Sequence, residues 1–392
     1  MSIYIWDKEI KDLCIWDTPV KEAYLWDTKV RPTIQPLWDT ITVSWTETSD
    51  TSQFNPVWSD WAAWVTAWDT RFDQRFGYSG VRLSTAWVET AEITQKGSWW
   101  DWNLDITRLW TLTSGNNVMI KFPVRWIKMT KSWSTVTLSM TKELNKSWYQ
   151  YYAFTRWSTI KNKLYIWTYL MSNWCVSLSW KEPQCNTNRY NFYDNILTTY
   201  NSNGYTMLWL YQRWYIAALY MMKYGNPDSR TVVGRWYVSW SAVKNTGATN
   251  SITSSTYWTS STSDQMKLFW LEDWWWNAIN YIAYCMWDIN KNLVVDKTNT
   301  VHSNTVADYT TILWWAGWGW WISSIIGTND WMFTPTAVNW SSTTYYKERI
   351  YANSSRVVCA WANYNQAGWV FTLDYTTTMN YYPENWTRIM FL

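Results

Sequence analysis

Few residues of this 392-residue chain belong to the types that do covalent or metal chemistry. The one His, His302, lies in the polar stretch DKTNTVHSNTVAD, so a Ser-His-Asp or Cys-His relay would depend on it alone. A surface role suits that setting better. Five Cys stand at 14, 175, 185, 285 and 359 without a C-x-x-C pair, which disfavours structural zinc. Buried thiols are expected rather than a disulfide framework, although Cys175 and Cys185 are close enough in sequence to pair across a loop. Carboxylate pairs, Asp101 with Asp105 and Glu272 with Asp273, are of the type that glycoside hydrolysis uses. Sequence spacing does not set their separation in space, and two acidic residues ahead of a tight loop more commonly fix it by accepting backbone N–H bonds. No Asp-rich calcium loop is visible. The expectation is a protein that is not an enzyme, with no catalytic residue, cofactor or metal.

Charge narrows the partners. Lys and Arg number 33 against 30 Asp and Glu, a net charge of +3 without a long basic run, so the footprint expected for nucleic acid is missing. The start, MSIYIWDKEI, lacks the basic and apolar regions of a secretory signal. The most apolar stretch, residues 313–326, is too short to span a bilayer. These features predict a soluble chain with no visible targeting or transmembrane segment, long enough for two or three domains.

The elements that must position any site are punctuated oddly. The chain has 41 Trp and only 12 Gly, where average usage of about 7% Gly would give roughly 27. Trp repeatedly precedes Asp or Ser, as in Trp6-Asp7, Trp16-Asp17, Trp26-Asp27, Trp38-Asp39, Trp68-Asp69, Trp133-Ser134 and Trp340-Ser341. Those are turn neighbours, and Gly is the residue that takes φ > 0 there without steric cost. The expectation is that many Trp stand where the gene encodes Gly, through a code in which UGA means Gly. A Trp-rich chain taken literally is the alternative, and it would favour carbohydrate binding by exposed indole platforms.

The first forty residues repeat: IYIWDKEI, LCIWDTPV, AYLWDTKV and the degenerate PLWDTITV. Gly in the Trp slot gives Gly-Asp hairpin turns between short strands, and the repeat is too short for propeller blades. Such a strip, residues 1–45, would mount the protein on a partner scaffold or on its own oligomer axis; a flexible leader is the plain alternative. Residues 46–180 form a β-rich middle section, with strands expected at 117–123, 127–131, 135–140, 149–154 and 163–170 and a turn at Ser132-Trp133-Ser134. One helix is expected over 208–224, with a core-facing stripe of Leu210, Trp214, Ala217, Ala218, Met221 and Met222, ended by Gly225 and Pro227. A Ser/Thr/Asn-rich loop follows at 239–263. Over 268–286 a turn followed by a strand is favoured over an aromatic helix. The fold class is α+β, mostly β, with a final domain over 181–392.

Three stretches of that final domain carry a family likeness once selected Trp are read as Gly. LYQRWYIAALYMMKYGNPDSRTVVGRW resembles a helix and Ser-x-x-Val-x-Gly-x-Gly turn of phage tail-associated proteins. LFWLEDWWWNAINYI resembles their Gly-x-Glu-Asp-x-x-Gly-Asn segment, with Trp270 and Trp276 in the Gly slots and Asn277 after the second. The C-terminal VVCAWANYNQAGWVFTLDYTTTMNYYPENWTRIMFL is similar to a closing pattern that falls here on Ala360, Trp361, Gly368, Phe371, Leu373, Trp386, Arg388 and Ile389, with Ala360 departing from the first Gly. NNVMIKFPVRWIKMTKSWSTVTLSMTKELNKSWYQYYAF resembles the β-rich part that precedes them. Together these resemble the C-type-lectin fold of the formylglycine-generating-enzyme subtype, as used by phage receptor-binding proteins and by variable proteins of diversity-generating retroelements.

The resemblance implies ligand or receptor binding through a C-terminal face, with a cell-surface protein or glycan as partner and a virion or cell-surface location. The enzyme subtype works through reactive Cys residues, of which only Cys359 lies in the C-terminal core here, so that chemistry is not implied. Between Trp361 and Trp386 the candidate ligand-binding residues are Asn363, Tyr364, Asn365, Gln366, Asp374, Tyr375, Asn380, Tyr381, Tyr382 and Glu384. Tyr supplies rigid amphipathic area and Asn adaptable hydrogen bonds; Phe371 and Leu373 alternate with polar neighbours and should face the core. The competing function is a structural tail or baseplate component in which this domain is a spacer.

Overall fold

The computed structural model describes residues 14–15, 18–19, 23–25, 28–30, 40–48, 56–58, 72, 76–84, 89–93, 95–96, 103–104, 116–143, 146–172, 176–183, 194–196, 205–233, 244–252, 254–257, 265–274, 279–298, 305–309, 311–313, 321–328, 332–341, 345–346, 350, 356–360, 374–375, 385–386 and 389–391. These are mostly β, as expected. Near the N-terminus, Cys14–Ile15 pairs with Thr18–Pro19 and Ala23–Leu25 with Thr28–Val30, both antiparallel. Each pair leaves two residues between its strands, Trp16-Asp17 and Trp26-Asp27, the slots expected for tight turns. The turn residues themselves and the repeat around Trp6 lie outside the described residues; of the fourth repeat, Thr40 to Val43 is described, within the strand Thr40–Thr46.

A four-stranded antiparallel sheet runs in the order Trp126–Ser132, Thr135–Thr141, Thr40–Thr46, Val57–Trp58. Period-two alternation sets its faces: Ile41, Val43, Trp45, Val136, Leu138 and Met140 are buried, while Ser and Thr occupy the positions between them. A six-stranded sheet has the order Tyr205–Met207, Ile389–Phe391, Lys163–Trp167, Asn116–Pro123, Ser79–Ser84, Glu89–Ile93. A third sheet places Thr311–Leu313, Leu293–Val295, Ile279–Trp287, Arg356–Ala360 and Asp374–Tyr375 side by side. One continuous apolar cluster joins the sheets, from Ile41 to Ile350.

The helix Leu210–Tyr224 lies at the centre. Its Trp209 N–H is bonded by the Gln212 side chain at 2.9 Å, and its last turn closes with the Gly225 N–H on the Met221 carbonyl at 2.9 Å. Gly225 has φ +61, and a Cβ there would come within 2.5 Å of the Trp58 ring, so both backbone and packing require Gly. The expected stripe faces the core, and burial extends beyond it: all fifteen residues are buried, Gln212, Arg213 and Lys223 included. A helix wrapped by structure on every side buries its polar positions as well. Lys223 Nζ lies 5.4 Å from the Phe72 ring centre and 5.7 Å from that of Phe269, and the Arg213 guanidinium lies 5.6 Å from that of Trp274, so aromatic faces receive these cations.

The strand expected over 149–154 is also corrected. Gln150 makes a bridge to Ile127, then the chain turns through a short 3-10 helix, Tyr152–Phe154. The Gln150 side chain accepts the Tyr152 N–H at 2.8 Å and Tyr151 O accepts the Phe154 N–H at 2.8 Å, local bonds that compete with a ladder. The other expected middle strands form, at Asn116–Pro123, Trp126–Ser132, Thr135–Thr141 and Lys163–Trp167. Over 268–286 the turn and strand form, the strand as Ile279–Trp287. Residues 313–326 contribute to the strands Thr311–Leu313 and Trp321–Ile325, and among the described residues no helix is long and apolar enough to cross a membrane.

Tryptophan occupies the left-handed turns. Among the described residues eleven non-Gly residues have positive φ, and five are Trp: Trp133 (55°), Trp148 (68°), Trp157 (47°), Trp180 (61°) and Trp270 (67°). Trp133 is the first of two residues joining Ser132 to Thr135, and Ser134 is not left-handed, the pattern of a type II′ turn, where Gly holds the first place. Trp157-Ser158 and Phe269-Trp270 are both left-handed throughout and join Arg156 to Thr159 and Leu268 to Leu271, the pattern of type I′ turns. Trp133 is 94% exposed and Trp148 78% exposed, so these rings bury little surface. Trp45 and Trp58 differ: Trp45 is buried and donates from its indole N–H to the Tyr346 hydroxyl at 3.2 Å, and Trp58 donates to the Met222 carbonyl at 3.0 Å.

Candidate ligand-binding face

The C-terminal segment leaves and re-enters the fold at one point. Asn280 is paired with Ala360 in the antiparallel strand Arg356–Ala360 and with Trp386 in the parallel strand Asn385–Trp386. The stretch 361–384, which contains every candidate ligand-binding residue, is therefore tied at both ends to a single residue of the central strand Ile279–Trp287. Midway, Asp374–Tyr375 folds back along the outer side of Arg356–Ala360, with Cys359 opposite Asp374 and Val358 opposite Tyr375. Beyond it, Ile389–Phe391 runs between Lys163–Trp167 and Tyr205–Met207, paired on both sides.

Asp374 and Tyr375 are the two candidates that the structure places, on the edge strand of this sheet. Asn363, Tyr364, Asn365, Gln366, Asn380, Tyr381, Tyr382 and Glu384 lie outside the described residues, as do Phe371, Leu373 and Arg388. His302, Asp101, Asp105, Cys175 and Cys185 lie outside them too. Cys285 is buried and free.

A buried polar clamp lies elsewhere in the fold. Lys267 and Glu272 are directly opposite in the Lys267–Leu268 and Leu271–Glu272 hairpin, so their side chains share a face and reach the loop 246–252. Glu272 accepts the Gly247 N–H at 2.6 Å, the Thr249 N–H at 2.9 Å and the Thr249 hydroxyl at 2.6 Å. Lys267 Nζ donates to the carbonyls of Thr249 at 3.1 Å and Ile252 at 2.7 Å and lies 4.5 Å from the Trp270 ring centre. Burial pushes the Glu272 carboxyl above the usual carboxylate range against those bonds and the Lys267 charge, and burial lowers Lys267 to about 7 although Glu272 opposes it. Asp273 accepts from the Gln265 amide at 2.5 Å, and the Tyr169 hydroxyl donates to Asn250 at 2.5 Å. Glu272 thus fixes a loop through backbone N–H groups, as its place before a tight turn suggested, and its oxygens face donors rather than an open site. Lys267 escaped notice in the sequence because its partner is set by a two-residue turn written Phe-Trp.

A second charged cluster lies at the edge of the six-stranded sheet. Glu89 meets Lys163 at 2.7 Å and Lys121 at 3.3 Å and accepts the Tyr165 hydroxyl. Burial works to raise the Glu89 carboxyl, yet these three partners together hold it at about 2. Among the described residues no group of three or more His, Cys, Asp or Glu could hold a metal ion. No family model matches the chain, and no curated protein matches it.

Proposed function

We propose that the chain is a receptor-binding or adhesion protein that recognises a cell-surface ligand through the segment 361–384, displayed on a C-type-lectin-like domain. The observation that carries this reading is the double pairing of Asn280 with Ala360 and Trp386. A stretch rich in Tyr and Asn, pinned at both ends and at Asp374–Tyr375, has the character of a variable loop on a rigid scaffold. The N-terminal hairpins serve to mount the protein on a virion or surface scaffold or on its own oligomer axis. Many Trp codons are UGA read as Gly in the native host, a proposal supported by the left-handed φ of Trp133, Trp148, Trp157, Trp180 and Trp270.

Two measurements test this. Labelled full chain is applied to a panel of bacterial strains and binding is read by flow cytometry. Binding to a subset of strains, lost on combining Tyr364→Ala, Tyr381→Ala and Tyr382→Ala, is expected; equal binding by the variant, or no binding to any strain, refutes the face. Reading the gene should give UGA at the five left-handed Trp positions, UGG at Trp45 and Trp58, and adenine-derived codons over 363–384 with a template repeat nearby. UGG at the left-handed positions refutes the recoding.

A further inference from the structure

The outer face of the four-stranded sheet is a lattice of hydroxyls. Residues directly opposite share a face, so Thr40–Thr46, Thr135–Thr141 and Trp126–Ser132 present twelve side chains there, of which ten are Ser or Thr, one is Lys128 and one is Trp126. The hydroxyls form cross-strand pairs: Thr40 with Thr141 at 3.1 Å, Thr42 with Ser139 at 2.9 Å, Ser44 with Thr137 at 3.0 Å and Thr46 with Thr135 at 3.3 Å. At one end the lattice is closed, because Lys146 Nζ donates to Thr40 at 2.9 Å, the Glu143 N–H donates to Thr141 at 3.1 Å, and Tyr151 packs on Trp126. At the other end Thr46, Thr130, Ser132 and Thr135 are exposed. Val57, opposite Ser44 on the next strand, is 67% exposed.

Cross-strand Thr and Ser pairs stabilise the sheet, but opposite-charge pairs would serve folding as well. A solvated surface ordinarily carries roughly a quarter to a third charged residues, and edge strands are guarded by charge. Here one cation is spread over twelve positions. Each hydroxyl offers one donor and two acceptor sites, and a cross-strand pair consumes one donor and one acceptor, so the rungs toward the open end, Ser44 with Thr137 and Thr46 with Thr135, keep an O–H and lone pairs to offer. The rungs repeat at about 6.6–6.8 Å along the strands and about 4.8 Å across them. A protein partner would call for an apolar, aromatic centre, and nucleic acid or an acidic polymer for a basic one. Neutral donors and acceptors in register, beside the exposed Val57 and, at the turn between Ser132 and Thr135, the exposed Trp133, match the hydroxyls and C–H surface of an uncharged sugar chain.

We propose that this hydroxyl face, over Thr42–Thr46 with Thr130, Ser132, Thr135 and Thr137, is a second binding site that takes a neutral glycan. It is built on strands other than those that flank the C-terminal segment; Trp133, 94% exposed, occupies the hairpin turn at its open end, and no hydroxyl of the site depends on which residue that codon encodes.

The test uses the full chain and three soluble neutral polysaccharides, dextran, pullulan and galactomannan, with affinity electrophoresis and calorimetry as readouts. Thr46→Val, Thr135→Val and Thr137→Val combined delete hydroxyls while keeping shape and β preference. Binding of at least one polysaccharide is expected, weakened about tenfold or more in the variant, since each net hydrogen bond lost is a several-fold factor. Thr159→Val, on a separate exposed hairpin, should leave it unchanged. Should the triple variant fail to fold, Thr46→Val alone, at the exposed rung, must still weaken binding measurably. No binding to any of the three polymers, or equal binding by the variants, overturns the proposal. So does sedimentation showing a dimer that the variants dissolve, which assigns the face to a second copy. The strain-panel assay reads the other face, so the two readings fail separately.

Discussion

Replacing the exposed left-handed tryptophans by glycine should stabilise the chain, the reverse of what removing a large aromatic ordinarily does. Trp133, Trp148, Trp157 and Trp180 have φ between 47° and 68° and are 94, 78, 59 and 52% exposed; little burial is lost with the ring at Trp133 and Trp148, whereas Trp157, 4.3 Å from the Arg156 guanidinium, and Trp180 give up a partly buried ring and are the weaker sites. The left-handed conformation costs an L-residue roughly 1–2 kcal/mol, and Gly returns about 0.5–1 kcal/mol of that as unfolded-chain entropy. The net gain is about 0.5–1 kcal/mol per site, or roughly 2–4 kcal/mol for four independent turns. With an unfolding entropy of about 2.1 cal/mol/K per residue, 392 residues melting as one unit turn that into a rise of roughly 2–5 °C. Trp45→Gly is the counter-case: that side chain is 1% exposed with its indole N–H bonded, and its loss costs about 3–5 kcal/mol. Calorimetry and urea unfolding of parent, fourfold variant and Trp45→Gly decide the matter. If the fourfold variant melts below its parent, the turn argument is wrong, and with it the main physical support for recoding.

Other perturbations test the rest of the framework. Lys267 titrates at about 7 in the folded chain against its ordinary 10.5, so between those values the unfolded chain holds a proton that the folded one lacks; stability should rise with pH across that window, and Lys267→Met should flatten the rise in pH-resolved urea midpoints. Glu89, held at about 2 against 4.5, works in the opposite range: its contribution is complete above about 4.5 and should fade as pH falls toward 2, a dependence that Glu89→Gln removes. Glu272→Gln leaves all three donors of the 247–249 turn without a charged acceptor and turns an amide NH2 toward at least one of them; a loss of about 1–3 kcal/mol is expected, with faster amide exchange at Gly247 and Thr249. Gly225→Ala must hold φ +61 against the Trp58 ring and should lower stability by about 1–2 kcal/mol or more, read by thermal unfolding.

What could be read in the sequence was local. The turn at Ser132-Trp133-Ser134 and the strands beside it follow from alternation over a dozen residues, and the helix end from Gly225 and Pro227. The 149–154 strand failed because the Gln150 side chain captures the Tyr152 N–H, a contact that no periodicity announces. The helix stripe was real but insufficient. Whether Arg213 and Lys223 face water or aromatic rings depends on what wraps the helix, and Phe72, Phe269 and Trp274 come from distant parts of the chain.

Long-range pairing was hidden for a related reason. Ile389–Phe391 is three residues of ordinary strand composition, yet it pairs with Lys163–Trp167 on one side and Tyr205–Met207 on the other. A strand between two neighbours has partners for both rows of its backbone N–H and C=O groups, so Ile389–Phe391 is committed to the sheet. That commitment bears on the candidate site. With Ala360 and Trp386 both fixed on Asn280 and the last strand locked beyond them, substitutions within 361–384 act on a segment whose two ends cannot drift. Change confined there leaves untouched the residues by which the chain enters and leaves the sheet. The hydroxyl face obeys the same separation: the alternate positions in Thr40–Thr46 and Thr135–Thr141 are held by Ile41, Val43, Trp45, Val136, Leu138 and Met140 in the core. The outward row is thereby left to be set by chemistry other than folding.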